Sequence, residues 1–437
     1  MYDWGVPLPF HPIGTAMTLK TISLAAIPVL LVSITSQAVT VEQLNRQVQR
    51  MNQRISEQDQ RFRVNGYATF GITQSDEAVS YNGVGDELNF QRFSRAGIQM
   101  SFNMNPQSSV ITQLVARGAN DYNANMEWAY YRHQFNDNYS GKIGRIRGPY
   151  YMLSEYLDVG YAVPWAQMPA ETYGLLDTFA NIDGIDITWD GELGDYGLQV
   201  QGVYGKTTTD DFIVKDIYSV AATLISDEWS ARVATAGAAL STGSGSEGRI
   251  INLADQLYGN GSGAKDGSFA SISFRYDPGD ILLMGEYTLS EVDGVTQDQS
   301  SMFITAGYRF GQWVPHITYG FHESTDDKDR ETTIPLATDL AGLGVPYTSS
   351  FDFDASGTNE MGELVTLLQS SSQSDATRIG IGVRYDMNAG VALKLQYDLI
   401  ETDQVGLFDF EGFLGAQAAG NAPDKTNILT FTIDTVF

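Results

Sequence analysis

Few residues of this chain are equipped for catalysis. It has four histidines and no cysteine, which removes thiol nucleophiles, disulfide frameworks and Cys-based metal sites. His11 stands near the N-terminus and His133 stands alone. His316 and His322 lie six residues apart in "HITYGFHESTD", so on a strand they share one face. Ser324 and Asp326 follow, and a Ser–His–acid hydrolase centre is the one chemistry this set allows, with imidazole as base for the hydroxyl. No Gly-x-Ser-x-Gly elbow accompanies it, and no His/Cys spacing suits a metal. Polar residues at a strand end account for the same pattern, so the reading is a non-enzyme without a bound cofactor.

A second kind of chemistry is carried by charge. The stretch "YYMLSEYLDVGYAVPWAQMPAETYG", Tyr150 to Gly174, keeps neither a two-residue nor a 3.6-residue period. It holds Glu155, Asp158 and Glu171, with Tyr156, Leu157, Tyr161 and Trp165 as candidates to pack it and Pro164 and Pro169 to stiffen it. Arg95, Arg117, Arg145, Arg147, Arg232, Arg275, Arg309, Arg378, Arg384 and Lys394 all stand in regular segments elsewhere. Fixed acids facing fixed bases across water act as a filter on charged solutes. Such an arrangement needs a wall to hold it.

The wall is legible as alternation. "SFASISFRY" puts Ala270, Ile272, Phe274 and Tyr276 opposite Ser271, Ser273 and Arg275. "ILLMGEYTLS" puts Leu283, Tyr287 and Leu289 opposite Met284, Glu286 and Thr288. "TRIGIGVRYD" and "VALKLQYDLI" set Ile379, Ile381, Val383, Leu393, Leu395 and Tyr397 against Arg378, Arg384, Lys394, Gln396 and Asp398. An apolar face with aromatics near strand ends and a polar face with charge is the code of a transmembrane barrel, apolar side out. Charge on the lipid face is costly, so the ten basic residues above and Asp186, Glu286 and Asp398 are assigned inward. The alternation blurs around Trp128, Tyr130, Tyr131 and Arg132.

Runs of this kind predict 16 strands, near 63–73, 89–101, 108–117, 124–135, 139–147, 182–190, 195–205, 214–225, 228–240, 267–276, 280–290, 300–310, 313–322, 376–387, 390–402 and 426–437. Short connections such as "DPGD" and "MNAG" alternate with long ones such as 148–181, 323–375 and 403–425. The fold class is therefore an all-β, antiparallel transmembrane β-barrel over 63–437, wide enough to enclose water. An even strand number closes without free edges, as a bilayer requires.

Ahead of the barrel, Met17 to Ala38 has one Lys, an apolar stretch and Ser36-Gln37-Ala38, the pattern of a signal peptide. Residues 1–38 are assigned to this leader, with Met17 as its true start. Residues 39–62 carry Val41, Leu44, Val48, Met51, Ile55 and Phe62, with Gln58 in the one polar slot, at alternating spacings of three and four, a short coiled-coil helix suited to self-association. Apart from the leader, no apolar run approaches the roughly 20 residues of a spanning helix.

The formal net charge of −27 argues against nucleic acid as a partner. Four loops, 74–88, 291–299, 323–375 and 403–425, hold 22 of the 53 acids. Their only bases are Lys328, Arg330 and Lys425, so they carry a net −19 of the −27, and most of the net negative charge sits on one rim, as a solvated surface or as a place for Ca²⁺ or Mg²⁺ shared with lipopolysaccharide. The lumen is basic by contrast, which predicts a channel that admits anions or shows little selectivity.

The final strand, "NILTFTIDTVF", ends in Phe437 and resembles the C-terminal assembly signature of Gram-negative outer-membrane proteins. The 16 strands and the long third outer loop resemble trimeric porins, and the coiled-coil segment resembles a subset of porins described as dicarboxylate channels. The resemblance implies an outer-membrane homotrimer for passive diffusion of small hydrophilic solutes, with lipid and lipopolysaccharide around it. It also implies a third loop folded into the barrel. Glu155, Asp158 and Glu171 would then face Arg95, Arg117, Arg145 and Arg147 across a constriction, with Arg275, Arg309, Arg378, Arg384 and Lys394 lining the lumen. A barrel for adhesion or envelope anchoring through the acidic 323–375 loop is the alternative, and an outer-membrane hydrolase a further one.

Overall fold

The computed structural model describes residues 61–78, 81–174, 180–210, 212–244, 252, 255, 263–294, 298–325, 375–404 and 424–437. The leader, the coiled-coil segment before Arg61, and most of the 323–375 and 403–425 loops lie outside the described residues, as does Asp326.

Sixteen strands run in chain order: β1 (Phe62–Ser75), β2 (Arg95–Asn105), β3 (Ser108–Arg117), β4 (Ala124–Gln134), β5 (Tyr139–Arg147), β6 (Asn181–Leu193), β7 (Tyr196–Thr208), β8 (Phe212–Ile225), β9 (Trp229–Thr242), β10 (Lys265–Tyr276), β11 (Ile281–Val292), β12 (Gln299–Tyr308), β13 (Trp313–Ser324), β14 (Asp375–Asn388), β15 (Val391–Gln404) and β16 (Lys425–Val436). Each pairs with its sequence neighbours, and β1 pairs with β16, so the sheet is a closed antiparallel barrel. Closure leaves no strand edge for lipid to meet. The lengths of 9 to 14 residues suit tilted spanning strands. Phe437 fastens the seam: its backbone exchanges both hydrogen bonds with Gly66, and its ring lies where a Gly66 side chain would stand.

The faces follow the alternation. Ile272, Ile304, Ile317, Ile381 and Leu395 are exposed outward, while Thr305, Thr318, Gln396 and Thr430 are buried inward. Two features depart from the sequence reading. The second strand starts at Arg95, not at 89, because Asn89 folds back to bridge Thr73 and Ser94 hydroxyl caps the turn at Phe90 and Gly71. In β4, the ladder with β3 slips between Gln113 and Leu114, which face Trp128 and Met126. The extra residue of this bulge, Glu127, turns inward beside Trp128. Below it the strand alternates regularly: Trp128, Tyr130 and Arg132 face the lumen, and Ala129, Tyr131 and His133 face out. The blur in the sequence was a bulge plus aromatic residues on the water side.

β4 and β5 pair only between Ala129–Gln134 and Ser140–Arg145. Beyond that the two strands part, and side chains replace the missing ladder. Glu127 accepts from Arg117 at 2.7 Å and from Asn181 at 2.7 Å, and Arg147 lies 3.5 Å from it.

Candidate functional site

The loop after β5 enters the barrel over residues 148–174, and its own side chains build the largest apolar cluster in the lumen among the described residues. Tyr150, Tyr151, Leu153, Val163, Trp165 and Tyr173 pack with Phe269, Met284 and Phe303 from the wall. The aromatic rings meet edge to face, Trp165 on Phe303 and Tyr151 on Phe269, at 5.4 and 5.3 Å. Phe269, Met284 and Phe303, apolar residues on the inner face of the wall, are thus matched to the loop.

Polar anchors fix the loop along its length. Glu286 accepts from Met152 N–H and from the Tyr173 hydroxyl, both at 2.9 Å. The Trp165 indole donates to Thr318 at 2.9 Å and Thr305 at 3.0 Å. Lys394 Nζ donates to the carbonyls of Gly160 and Trp165 and pairs with Asp434 at 3.0 Å. Arg384 donates to the carbonyls of Tyr161 and Val163, with its guanidinium 4.8 Å over the Tyr161 ring. Pro169 starts a single helical turn, Ala170–Tyr173, that delivers Glu171 to Arg378 at 3.0 Å, while Arg378 also holds Asp398 at 2.9 Å. Two glycines make this docking possible. A side chain at Gly160 would meet Asp434 and Thr69, and one at Gly320 would meet the Glu171 carboxylate.

Asp158 makes the strongest contact with the early strands. Both its oxygens accept from Arg117 at 2.7 Å, and Arg147 adds a bond at 2.9 Å. Burial pushes this carboxyl up, but the Arg117 hydrogen bonds and the charges of Arg117, Arg147 and Arg95 outweigh it and hold it below its ordinary value. Glu127, invisible in the sequence because a bulge turned it inward, completes this cluster of three guanidiniums and two carboxylates.

The sequence expectation that Glu155, Asp158 and Glu171 together oppose Arg95, Arg117, Arg145 and Arg147 needs three corrections. Glu171 is on the other wall, bound to Arg378. Glu155 meets Lys142 at 3.5 Å, not an arginine. Arg145 points outward, where β5 pairs it with Asp183 of β6 at 2.8 Å; strand parity had been assigned by the cost of charge in lipid, and a partner on the neighbouring strand lowers that cost. Tyr156 also departs from its expected packing role and is exposed at 51%. Arg378, Arg384 and Lys394 do face inward, but they bind the loop. Arg275 and Arg309 sit at the short-turn rim, where both pair with Asp277. Asp186, Glu286 and Asp398 are buried inside.

The lumen is therefore two-sided. On β11 to β16 the inward residues are buried, from Met284 and Glu286 through Thr305, His316 and Thr318 to Gln396 and Asp434. On the halves of β2 to β9 nearer the short turns, inward residues keep access to water: Gln99, Ser101, Trp128, Tyr130, Arg132, Lys142, Gln199, Thr223 and Arg232. Glu155 and Tyr156 of the loop are exposed as well.

The hydrolase reading rests on His316, His322, Ser324 and Asp326, and Asp326 lies outside the described residues. His316 and His322 are inward on β13, and the hydrogen bonds of His133 run to Ser108 at 3.0 Å and Tyr131 at 3.3 Å on the outer face. No carboxylate hydrogen-bonds His133 among the described residues, so that imidazole lacks the orienting acid of a hydrolytic triad.

No protein-family model matches the chain, and no curated protein matches it. Solved structures do. The anion-selective porin from Comamonas acidovorans superposes with a TM-score of 0.52 at 14% identity, covering 86% of this chain and 99% of that one. Salmonella typhi OmpF in complex with daunomycin gives 0.51 at 14%, covering 86% and 97%. In-vitro folded OmpT of Vibrio cholerae, in its trimer form, gives 0.51 at 10%, covering 86% and 100%. At such identities the likeness speaks for the fold. By its fold, the chain is a closed 16-stranded antiparallel barrel, similar to the barrels of these outer-membrane proteins.

Proposed function

We propose that the protein is an outer-membrane channel for passive diffusion of small hydrophilic solutes, with a preference for anions. The observation that carries the reading is the water-accessible strip on β2 to β9, bounded on the loop side by Glu155 and Tyr156. Its accessible charges are Arg95, Arg132, Lys142 and Arg232 against Glu155, Asp190 and Glu192. Fixed positive charge along a narrow aqueous path raises the local concentration of anions. The long loops, rich in acids, face the exterior in this reading, and the divalent cations they would share with lipopolysaccharide are part of it. The experiment is reversal potential in asymmetric KCl across a planar bilayer. Anion selectivity is expected. Strong cation selectivity overturns the preference, and absence of conductance overturns the channel.

The same reading includes a homotrimer. Arg145 and Asp183 form an outward ion pair beside Ile143, Ile185, Met126 and Ala129, which line a shallow groove of about 550 Å³. A charge facing lipid costs about 2–4 kcal/mol at mid-depth and less toward the strand ends, where this pair stands. Cover by a second copy of the chain removes that exposure, and the trimer form of the Vibrio cholerae protein has the same barrel. Native electrophoresis of the purified protein tests the assembly.

A further inference from the structure

The lumen face of β4 is unusual for a water-filled wall. Trp128 and Tyr130 both point inward and are half-exposed, with ring centroids 6.4 Å apart. A lumen strand is normally polar, and aromatic side chains belong to the outer girdles. Structural packing explains only part of this. Tyr130 touches the edge of the cluster under the loop, but Trp128 is not a member of it. The Trp128 indole N–H is also buried without an acceptor, so no hydrogen bond holds the ring in place.

Two cations continue the line toward the short-turn rim. Arg132 is the next inward residue of β4, about 7 Å along the strand from Tyr130. It is exposed and hydrogen-bonds Gln134 at 3.1 Å. Lys142 of β5 pairs with Arg132 in register, and its Nζ lies 5.7 Å from the centre of the Tyr130 ring. Lys142 already faces Glu155 at 3.5 Å and Asp186 at 3.7 Å, so Arg132, which holds no carboxylate among the described residues, is the main anchor for an anion and Lys142 a supporting charge.

Resting on the channel reading, we propose that β4 and β5 form a solute-binding lane for organic anions with a flat apolar ring, of the aryl carboxylate class. The ring stacks on Trp128 and Tyr130, and the carboxylate reaches Arg132 and Lys142. An aromatic face beside a cation at the spacing of one strand repeat matches a planar ring bearing one charged group. A sugar would use the rings and leave the cations idle, and a small inorganic anion would use the cations and leave the rings idle.

Benzoate is the probe, titrated calorimetrically into the full-length protein in detergent and, separately, added to single channels carrying KCl current. Saturable binding is expected, with current block at the same concentrations. Acetate and benzyl alcohol, which each lack half of the ligand, bind at least about tenfold more weakly. Trp128→Leu weakens benzoate by about tenfold and leaves acetate unchanged, whereas Arg132→Gln weakens both carboxylates. Tyr130→Leu repeats the test should the tryptophan variant fail to fold. Equal weak effects of benzoate and acetate, or benzoate binding indifferent to Trp128→Leu and Tyr130→Leu, overturn the lane. Conductance without benzoate binding leaves the channel standing and removes the lane. Binding without conductance does the reverse.

Discussion

The two walls of the lumen use charge in opposite ways. On β13 to β16, Arg378, Lys394 and Arg384 are spent on the loop: each is tied to a loop carboxylate or carbonyl and to a neighbouring acid of the wall. On β4, Arg132 is exposed to water and holds no carboxylate among the described residues, and Lys142 of β5 keeps partial access to water between Glu155 and Asp186 at the longer distances of 3.5 and 3.7 Å. The first wall is a core that happens to be polar, and the second is a surface. Inward direction alone does not say which kind a residue belongs to; that depends on where a 33-residue loop comes to rest.

The largest effect expected from this contrast is on conductance. Deleting residues 154–170 removes Glu155 and Tyr156 from the open side and the Trp165 anchor from the closed side. Single-channel conductance in KCl should rise several-fold, because the buried wall becomes a second water-lined face. Unchanged conductance would mean the loop lies away from the path. A gentler probe is Trp165→Ala, which empties a side chain now 1% exposed. It should destabilise the barrel by about 3–5 kcal/mol, read as earlier heat-induced unfolding.

Next is a pair of single charge removals. Arg378→Met leaves Glu171 and Asp398 buried and unpaired, with side chains that are 2% and 0% exposed. The loss should be about 3–5 kcal/mol of stability. Arg132→Gln removes an exposed charge and should change stability by less than about 0.5 kcal/mol while shifting the reversal potential toward cations. Equal stability losses in the two variants would erase the distinction between core and surface.

Most of the barrel was legible in the sequence because a two-residue period is local. Leu395 and Lys394 report their faces from their neighbours alone. The site was legible only as direction. Arg378 could be read as inward, but its binding of Glu171 joins residues 207 apart in the chain. Glu127 was hidden because one inserted residue reverses parity, and nothing in "NMEWAYYRH" marks which residue is extra. Arg145 was misassigned because its partner Asp183 lies on the next strand, 38 residues away. The N-terminal boundary of β2 moved because Ser94 and Asn89 prefer to bond local backbone and end the strand there.

The smallest effect expected is a pH dependence at the clasp that ties the loop to Arg117 of β3 and Arg147 of β5. Asp158 is held below its ordinary value of 3.8 by Arg117 and Arg147 despite its burial. A carboxyl depressed in the folded state contributes stability that is fully present above its ordinary value and is lost as pH falls through the lower folded value. Between about pH 5 and 8 the Asp158 clasp should therefore be constant. Below about pH 4 it should weaken, seen as rising current noise while the Trp165 and Lys394 anchors still hold the closed side. Asp158→Asn should show that noise at neutral pH and lose its acid dependence. A wild-type transition centred above about pH 5 would assign the loosening to another group, and the two ends of the loop would then no longer differ in the way their charges are held.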